Sequence, residues 1–195
     1  MRTLLSFVFM FVSAVAIAQI DSDHLTVGET APSIVGMDQN GKTIDSKDIL
    51  RNKDILLIFY RGNWCPHCKK HLSSLQEHLK EFEKKGVFVV VVSPEKAEKT
   101  KETGDQYNNE FSVVHDSNNK IMTDYKVAFE VNETTVPMYY EKLNARLSEH
   151  NGDNGNVLPV PATYLIDKSG KIVYVQYDPD YKNRSNFDEI LALLN

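Results

Sequence analysis

Cysteine is nearly absent from this chain of 195 residues, and both of its copies fall inside one pentapeptide, Trp64-Cys65-Pro66-His67-Cys68. A domain stapled by several disulfides is therefore excluded. A covalent loop this small removes little entropy from the unfolded chain, so reactivity explains the pair better than stabilisation does. Basic residues are in deficit, with 22 Lys and Arg against 27 Asp and Glu, which leaves no electrostatic reason to expect a nucleic-acid partner. No GxGxxG follows an apolar run, so a dinucleotide site is unsupported. Internal repeats and low-complexity tracts are missing as well. The apolar run from Leu4 to Ala18, interrupted by Ser6 and Ser13, falls short of the ~18 residues a bilayer span needs.

That run follows Met1-Arg2-Thr3 and ends in Ala16-Ile17-Ala18, a small-x-small pattern. A short basic start, a short apolar core and a small-residue ending describe a secretory signal peptide over residues 1–18. The reading is an exported, periplasmic protein with no stable membrane insertion after cleavage. Residues 19–195 then form one domain, in a compartment where disulfides persist.

Along that domain, Ile34-Val35-Gly36-Met37, a tight turn over Asp38 to Lys42 and Thr43-Ile44 read as a hairpin laid across the domain entrance. Ser46 to Leu50 reads as a helical turn. Ile55 to Tyr60 is apolar on both faces, as a central parallel strand should be. Cys68, Leu72, Leu75, Leu79 and Phe82 then recur at helical spacing, and Gly86 stops the helix. Val87 to Val92 is a second buried strand, which completes a βαβ unit. Lys96 to Tyr107 reads as a solvated helix weakened by Gly104, Phe111 to His115 as a short strand, and Asn118 to Phe129 as a helix. A small helical insertion at about 131–158 carries Tyr140, Leu143 and Leu147 on one helix, followed by a loop over residues 151–156. Ala162 to Ile166 and Ile172 to Tyr177 form an antiparallel hairpin, and Phe187, Ile190, Leu191 and Leu194 mark a last helix. The fold class is α/β, a mixed central sheet flanked by helices.

The cysteines sit where the first strand gives way to the helix. Pro66 suits the first helical position, because its missing N–H costs nothing there. Cys65 is then the N-cap, where free N–H groups and the helix dipole stabilise a thiolate. The expectation is an exposed, acidic Cys65 and a shielded Cys68, close enough to close a disulfide. His67, if protonated, would lower the Cys65 pKa further. Trp64 either shapes a partner-docking surface or packs as an ordinary aromatic. His67, His71 and His78 could in principle hold a metal, but a closed zinc site needs a second ligand cluster that the sequence does not supply. They are read as exposed helix-surface histidines, with no metal and no cofactor.

Three blocks carry a family likeness. Tyr60-Arg61-Gly62-Asn63-Trp64-Cys65-Pro66-His67-Cys68 resembles the active-site block of peroxiredoxin-like AhpC/TSA proteins, redoxins of the thioredoxin superfamily with an RGxWCPxC signature. Leu158 to Asp167 resembles their cis-proline strand, and Tyr177-Asp178-Pro179-Asp180-Tyr181 the DPDY segment that follows. Gly28 to Pro32 adds a fourth, weaker match. The resemblance implies a thioredoxin-like fold and a cis Val160–Pro161 bond facing the cysteines. Aligned on Tyr60, however, the PxxxTxxC motif of typical peroxiredoxins puts Arg61 at the proline position, Cys65 at the threonine position and Cys68 at the peroxidatic position. Helix-terminus physics favours Cys65 as the first nucleophile, and that register favours Cys68. The usual peroxiredoxin arginine aligns with Pro161, and Arg61 is the candidate to orient peroxide in its place.

The reading that follows is a peroxiredoxin-like antioxidant enzyme of cell redox homeostasis. It would reduce hydrogen peroxide or organic hydroperoxides through a Cys65–Cys68 dithiol/disulfide and be recycled by a thioredoxin-like reductant. Arg61, Trp64, Pro66, His67 and Pro161 would support the pair. One alternative is a periplasmic thiol-disulfide oxidoreductase acting on protein disulfides. Another, of a different class, is a non-catalytic metal-binding or interaction module.

Overall fold

A computed structural model describes residues 24–194 other than residue 133. The segment read as a signal peptide, 1–18, lies outside the described residues. The chain runs β1 (Val35–Asp38), β2 (Thr43–Asp45), α1 (Ser46–Ile49), β3 (Asp54–Phe59), α2 (Pro66–Lys84), β4 (Val87–Ser93), α3 (Ala97–Gln106), β5 (Ser112–His115), α4 (Lys120–Asp124), β6 (Ala128–Glu130), α5 (Val136–Leu143), α6 (Leu147–Asn151), β7 (Val157–Pro159), β8 (Ala162–Ile166), β9 (Ile172–Tyr177) and α7 (Phe187–Leu193).

Seven strands form the central sheet in the order β2-β1-β5-β4-β3-β8-β9. β4 runs parallel to both β3 and β5, and the remaining pairs are antiparallel, so the sheet is mixed. This is the thioredoxin-like α/β architecture expected from the sequence. β3 lies near its middle and is buried along nearly its whole length. Its alternate side chains feed two cores. Leu56, Ile58 and Tyr60 join Leu72 and Leu75 of α2 and Ile190 of α7 on one face. Ile55, Leu57 and Phe59 join Ile121, Met122 and Tyr125 on the other. A strand with cores on both sides has to be apolar at every position, which is why the Ile55 to Tyr60 run carries no polar alternation.

Several expectations are corrected. The N-terminal hairpin does not lie across the entrance: Met37 pairs with His115 and Asp38 with Val114, so it extends the sheet at one edge. The helix expected over Asn118 to Phe129 shrinks to α4. Lys126 takes a left-handed conformation (φ 56°), and Ala128–Glu130 pairs with Val157–Pro159 as a separate two-stranded ribbon. Met122 and Tyr125 already fill the core beneath α4, and Phe129 turns outward, so the apolar spacing past Tyr125 has no helix to serve. The insertion helix is two helices, α5 and α6, broken at Asn144 (φ 50°). The 151–156 stretch is more than a loop. Asn154 is buried, and its amide donates to Pro94 O and Asp116 O, both at 2.8 Å, which pins this arm beside the end of β4. Finally, no cis peptide bond exists among the described residues, so Val160–Pro161 is trans. Val160 N donates to Val127 O (2.8 Å) and Pro161 O accepts from Asp178 N (3.3 Å). Those bonds hold the strand entry with the isomer an X–Pro bond ordinarily prefers.

The solvated helix of the sequence reading, α3, also has a buried face formed by Thr100, Thr103 and Gly104. Gly104 is there for proximity rather than flexibility. A Cβ at this position would clash with Gln39 Cγ and come within 2.8 Å of Asn109 Oδ1. Gln39 cannot move aside freely, because its amide donates to Phe111 O (2.9 Å) and accepts from Val113 N (2.7 Å). Helix propensity alone would make Gly104→Ala stabilising by ~1 kcal/mol. The packing predicts the opposite sign, a loss of about 1–2 kcal/mol from overpacking, read as a lower urea midpoint at unchanged slope.

Candidate active site

β3 delivers the chain to the loop Tyr60–Trp64, and α2 begins immediately after it. Gly62 (φ 153°) has no room for a side chain, since a Cβ there would strike Trp64 Nε1 and lie 2.8 Å from Glu95 Oε1. Glu95 follows β4 and is fully buried. Its Oε2 accepts from Asn63 N (2.9 Å) and from the Tyr60 hydroxyl (3.3 Å), and its Oε1 meets His150 Nδ1 (3.1 Å). One carboxylate thus fastens the loop before the cysteines to the neighbouring strand and to α6. Sequence reasoning missed this residue. The available signal was an acidic side chain at the carboxyl end of a central strand, where open α/β sheets place their sites.

Cys65 is the N-cap of α2 (φ −87°, ψ 112°) with Pro66 in the first turn, as expected. Its Sγ accepts from Cys68 N at 3.4 Å and from Arg61 Nη2 at 3.2 Å. Hydrogen bonding from the Cys68 thiol acts most strongly on Cys65. Burial opposes it, and the Arg61 charge and hydrogen bond reinforce it, bringing the Cys65 pKa down to about 5. Cys68 moves the other way, raised by burial first and then by its hydrogen bond to Cys65 and the charge there. Both cysteines are free, so the site at neutral pH holds one thiolate and one thiol.

The exposure expected of Cys65 is corrected. Its accessibility is 0 %, and that of Cys68 is 1 %. Arg61, itself 3 % exposed, lies 4.0 Å from the Tyr181 ring, 5.3 Å from Trp64 and 5.8 Å from Tyr139. Trp64 meets Tyr139 edge-on at 5.6 Å. Three aromatic rings from the active-site loop, α5 and the loop after β9 therefore surround the guanidinium that holds the thiolate. The long guanidinium stem and the rings exclude water from the sulfur without removing its counter-charge.

Of the residues singled out from sequence, Cys65, Cys68, Arg61, Trp64 and Pro66 come together. The His67 ring lies against Tyr181 (5.4 Å). Arg61 is placed against the Cys65 sulfur. Pro161 is buried just ahead of β8, whose Ala162 pairs with Phe59, so it stands at the same end of the sheet as the loop. His71 is not a surface residue. It is buried, stacked on Phe187 (4.7 Å), and its Nε2 meets Ser185 Oγ at 3.0 Å. Burial, then the nearby Arg184 charge, push its pKa down to about 4, so the imidazole is neutral. Among the described residues no group of three or more His, Cys, Asp or Glu could hold a metal ion. A second arginine, Arg184, reaches Cys68 Sγ with Nη2 at 3.4 Å, and nothing in the sequence signalled it.

The sequence model of the AhpC/TSA family matches residues 27–175. Thiol-disulfide oxidoreductase ResA of Bacillus cereus is 29% identical over 154 residues, covering 78% of this chain and 70% of the relative. Chloroplastic peroxiredoxin Q of Sedum lineare is 25% identical over 170 residues, covering 87% and 78%. Among solved structures, peroxidoxin BcpB from Mycobacterium tuberculosis superposes with a TM-score of 0.68 at 18% identity, covering 88% of this chain and 97% of that one. A cysteine-to-serine mutant of PrxQ from Xylella fastidiosa gives 0.67 at 18% identity, covering 88% and 96%.

The geometry predicts that iodoacetamide at limiting concentration labels Cys65 first, with a rate that inflects near pH 5. In Arg61→Gln the inflection moves toward the ordinary thiol range, and thiolate at pH 6 falls to about half when the inflection reaches ~6 and roughly tenfold for each further unit of rise. The same group makes reduced-protein stability depend on pH. Cys65 ionises near 5 in the folded chain and near ~8.5 when unfolded. Its contribution is therefore fully present above ~8.5 and is lost as pH falls toward 5. The stability difference between reduced wild type and Cys65→Ser should grow with pH across that window in chemical denaturation.

Proposed function

The chain belongs to the AhpC/TSA family and is a thiol-dependent oxidoreductase, and on that premise we propose that it is an exported thiol peroxidase working through the Cys65–Cys68 pair. The observation that carries this reading is the hydrogen bond from Arg61 to a Cys65 thiolate enclosed by aromatic side chains. A buried sulfur with its own counter-charge suits a substrate as small as hydrogen peroxide or a short organic hydroperoxide.

Cys65 attacks the peroxide O–O bond. The sulfur becomes a sulfenic acid, and the departing alkoxide or hydroxide takes a proton to leave as alcohol or water. Arg61 holds the thiolate and aligns the peroxide oxygens beside it. Cys68 then condenses with the sulfenic acid, giving the Cys65–Cys68 disulfide and water. A thioredoxin-like dithiol protein returns the pair to the reduced state. Trp64 and Pro66 shape the approach to Cys65. His67 and Pro161 frame the site. Export rests on the basic, apolar and small-residue pattern of residues 1–18, which suits a periplasmic location.

A second reading keeps the site and changes the substrate. ResA is named as a thiol-disulfide oxidoreductase, and placing both thiols in the first turn of one helix also fits attack on a protein disulfide, with Cys68 releasing the mixed intermediate. The closed site weighs toward the smaller substrate. The non-catalytic alternative falls away with the family assignment.

Mass spectrometry of Cys65→Ser and Cys68→Ser after one equivalent of peroxide tests the proposal. Cys68→Ser should accumulate a sulfenic acid on Cys65. Cys65→Ser should lose peroxide turnover with a thioredoxin system by about 100-fold or more, as for loss of an activated nucleophile. If neither variant reacts faster than free cysteine while a small disulfide is consumed rapidly, the second reading replaces the first.

A further inference from the structure

The loop between β9 and α7 carries a residue that the chemistry above leaves unused. Asp178 braces it, accepting from Asp180 N (2.8 Å) and Asn183 Nδ2 (2.8 Å). Asp180 accepts in turn from Lys182 N (3.1 Å) and, through its carbonyl, from Asn183 N (2.9 Å). At the far end Ser185 Oγ donates to Thr163 Oγ1 of β8 (3.0 Å) and meets His71 on α2. Between these fixed points Arg184 extends to Cys68, Nη2 to Sγ 3.4 Å. Its Nε is buried without a hydrogen-bond partner in the described structure. Among the described residues Arg184 is therefore not committed to a carboxylate, and its one polar contact there is the sulfur.

We propose that Arg184 is a catalytic residue of the second half-reaction, stabilising the negative charge on Cys68 Sγ while that sulfur attacks the oxidised Cys65. The proposal rests on Cys65 attacking first. In the resting enzyme each sulfur has its own guanidinium, Arg61 for Cys65 and Arg184 for Cys68. Burial keeps Cys68 protonated in the first place, and the hydrogen bond to the Cys65 thiolate and the charge there add to it. Once Cys65 is a sulfenic acid or a mixed disulfide that added opposition is gone. Burial remains, and Arg184, hydrogen-bonded to the sulfur, offsets it as charge develops there. The remaining groups that face it do not substitute for Arg184. Tyr60 and Tyr107 stay protonated, their pKa values raised by burial. His71, one turn along α2, is neutral above about pH 4. The Arg61 guanidinium is engaged by Cys65, while its backbone N–H favours a charged Cys68 more weakly than the Arg184 charge does.

The bonds balance for either substrate. With a sulfenic acid, the Cys68 sulfur forms the S–S bond as the S–O bond breaks, and the Cys68 proton leaves with hydroxide as water. With a mixed disulfide, the new S–S bond replaces the old one, the substrate sulfur departs as thiolate, and the Cys68 proton passes to solvent.

Dithiodipyridine separates the two steps without relying on peroxide. Attack on it releases one thiopyridone and leaves a mixed disulfide, and attack by the second cysteine releases another. Stopped-flow absorbance follows both phases. Arg184→Gln should keep the first phase within about twofold of wild type, which also reports an intact site. Its second phase should slow more than tenfold at pH 7, with the pH profile displaced upward, and Arg184→Lys should recover part of the rate. With peroxide, Arg184→Gln should yield more dimedone-trapped sulfenic acid on Cys65. Wild-type rates and pH profile in both phases would overturn the proposal, as would equal slowing of both, which marks a structural role. A first phase that survives in Cys65→Ser and is lost in Cys68→Ser overturns the order of attack, and the proposal with it. A normal two-phase reaction with no response to peroxide leaves Arg184 in its role and removes only the peroxidase reading.

Discussion

A single negative charge shared between two sulfurs organises this protein. Cys65 can be a thiolate at neutral pH because three donors converge on it, the Cys68 thiol, the Cys68 backbone N–H and the Arg61 guanidinium. All three depend on the start of α2 being where it is. The N-cap position exposes backbone donors that no helical carbonyl uses, and a sulfur there meets them in the orientation they already hold. Burial, and then the same charge with its hydrogen bond, keep Cys68 a thiol. The pair is thus polarised before any substrate arrives, and the asymmetry comes from position along one helical turn.

Keeping that charge in a closed pocket is costly, and much of the surrounding structure offsets the cost. Burial works against the thiolate, and a buried anion persists only with hydrogen bonds and an opposite charge in place. Arg61 supplies both, and Trp64, Tyr139 and Tyr181 keep its guanidinium in place by lying around it. These rings come from three separate segments, so the site draws the active-site loop, the arm between β6 and β7, and the loop after β9 into one assembly. Glu95 performs the corresponding task behind the loop, joining Asn63 N to His150. The arm is consequently part of the site's enclosure.

The sequence was most readable where local rules and tertiary packing agree. Ile55 to Tyr60 and Val87 to Val92 are apolar on both sides because both faces are covered, and α2 follows its stripe from Cys68 to Phe82. The cap geometry of Cys65 and Pro66 was equally legible, since it depends on a few consecutive residues. Long-range convergence was not. Arg184 reaches Cys68 across 116 positions of chain, and no periodicity or spacing reports such a contact. Glu95 and His71 look like surface residues in one dimension and are buried in three, because each meets a partner from a distant segment. The apolar spacing after Tyr125 misled in the opposite direction: it described a helix, and a left-handed Lys126 turned the chain into a strand.

The polarised pair can be observed directly. In reduced protein labelled at cysteine Cβ with carbon-13, each thiol reports its own ionisation through the chemical shift. One signal, assigned to Cys65 by its loss in Cys65→Ser, should titrate near pH 5, while the Cys68 signal stays in its thiol form through neutral pH. Two signals moving together above pH ~8, as ordinary thiols do, would contradict the account at its base.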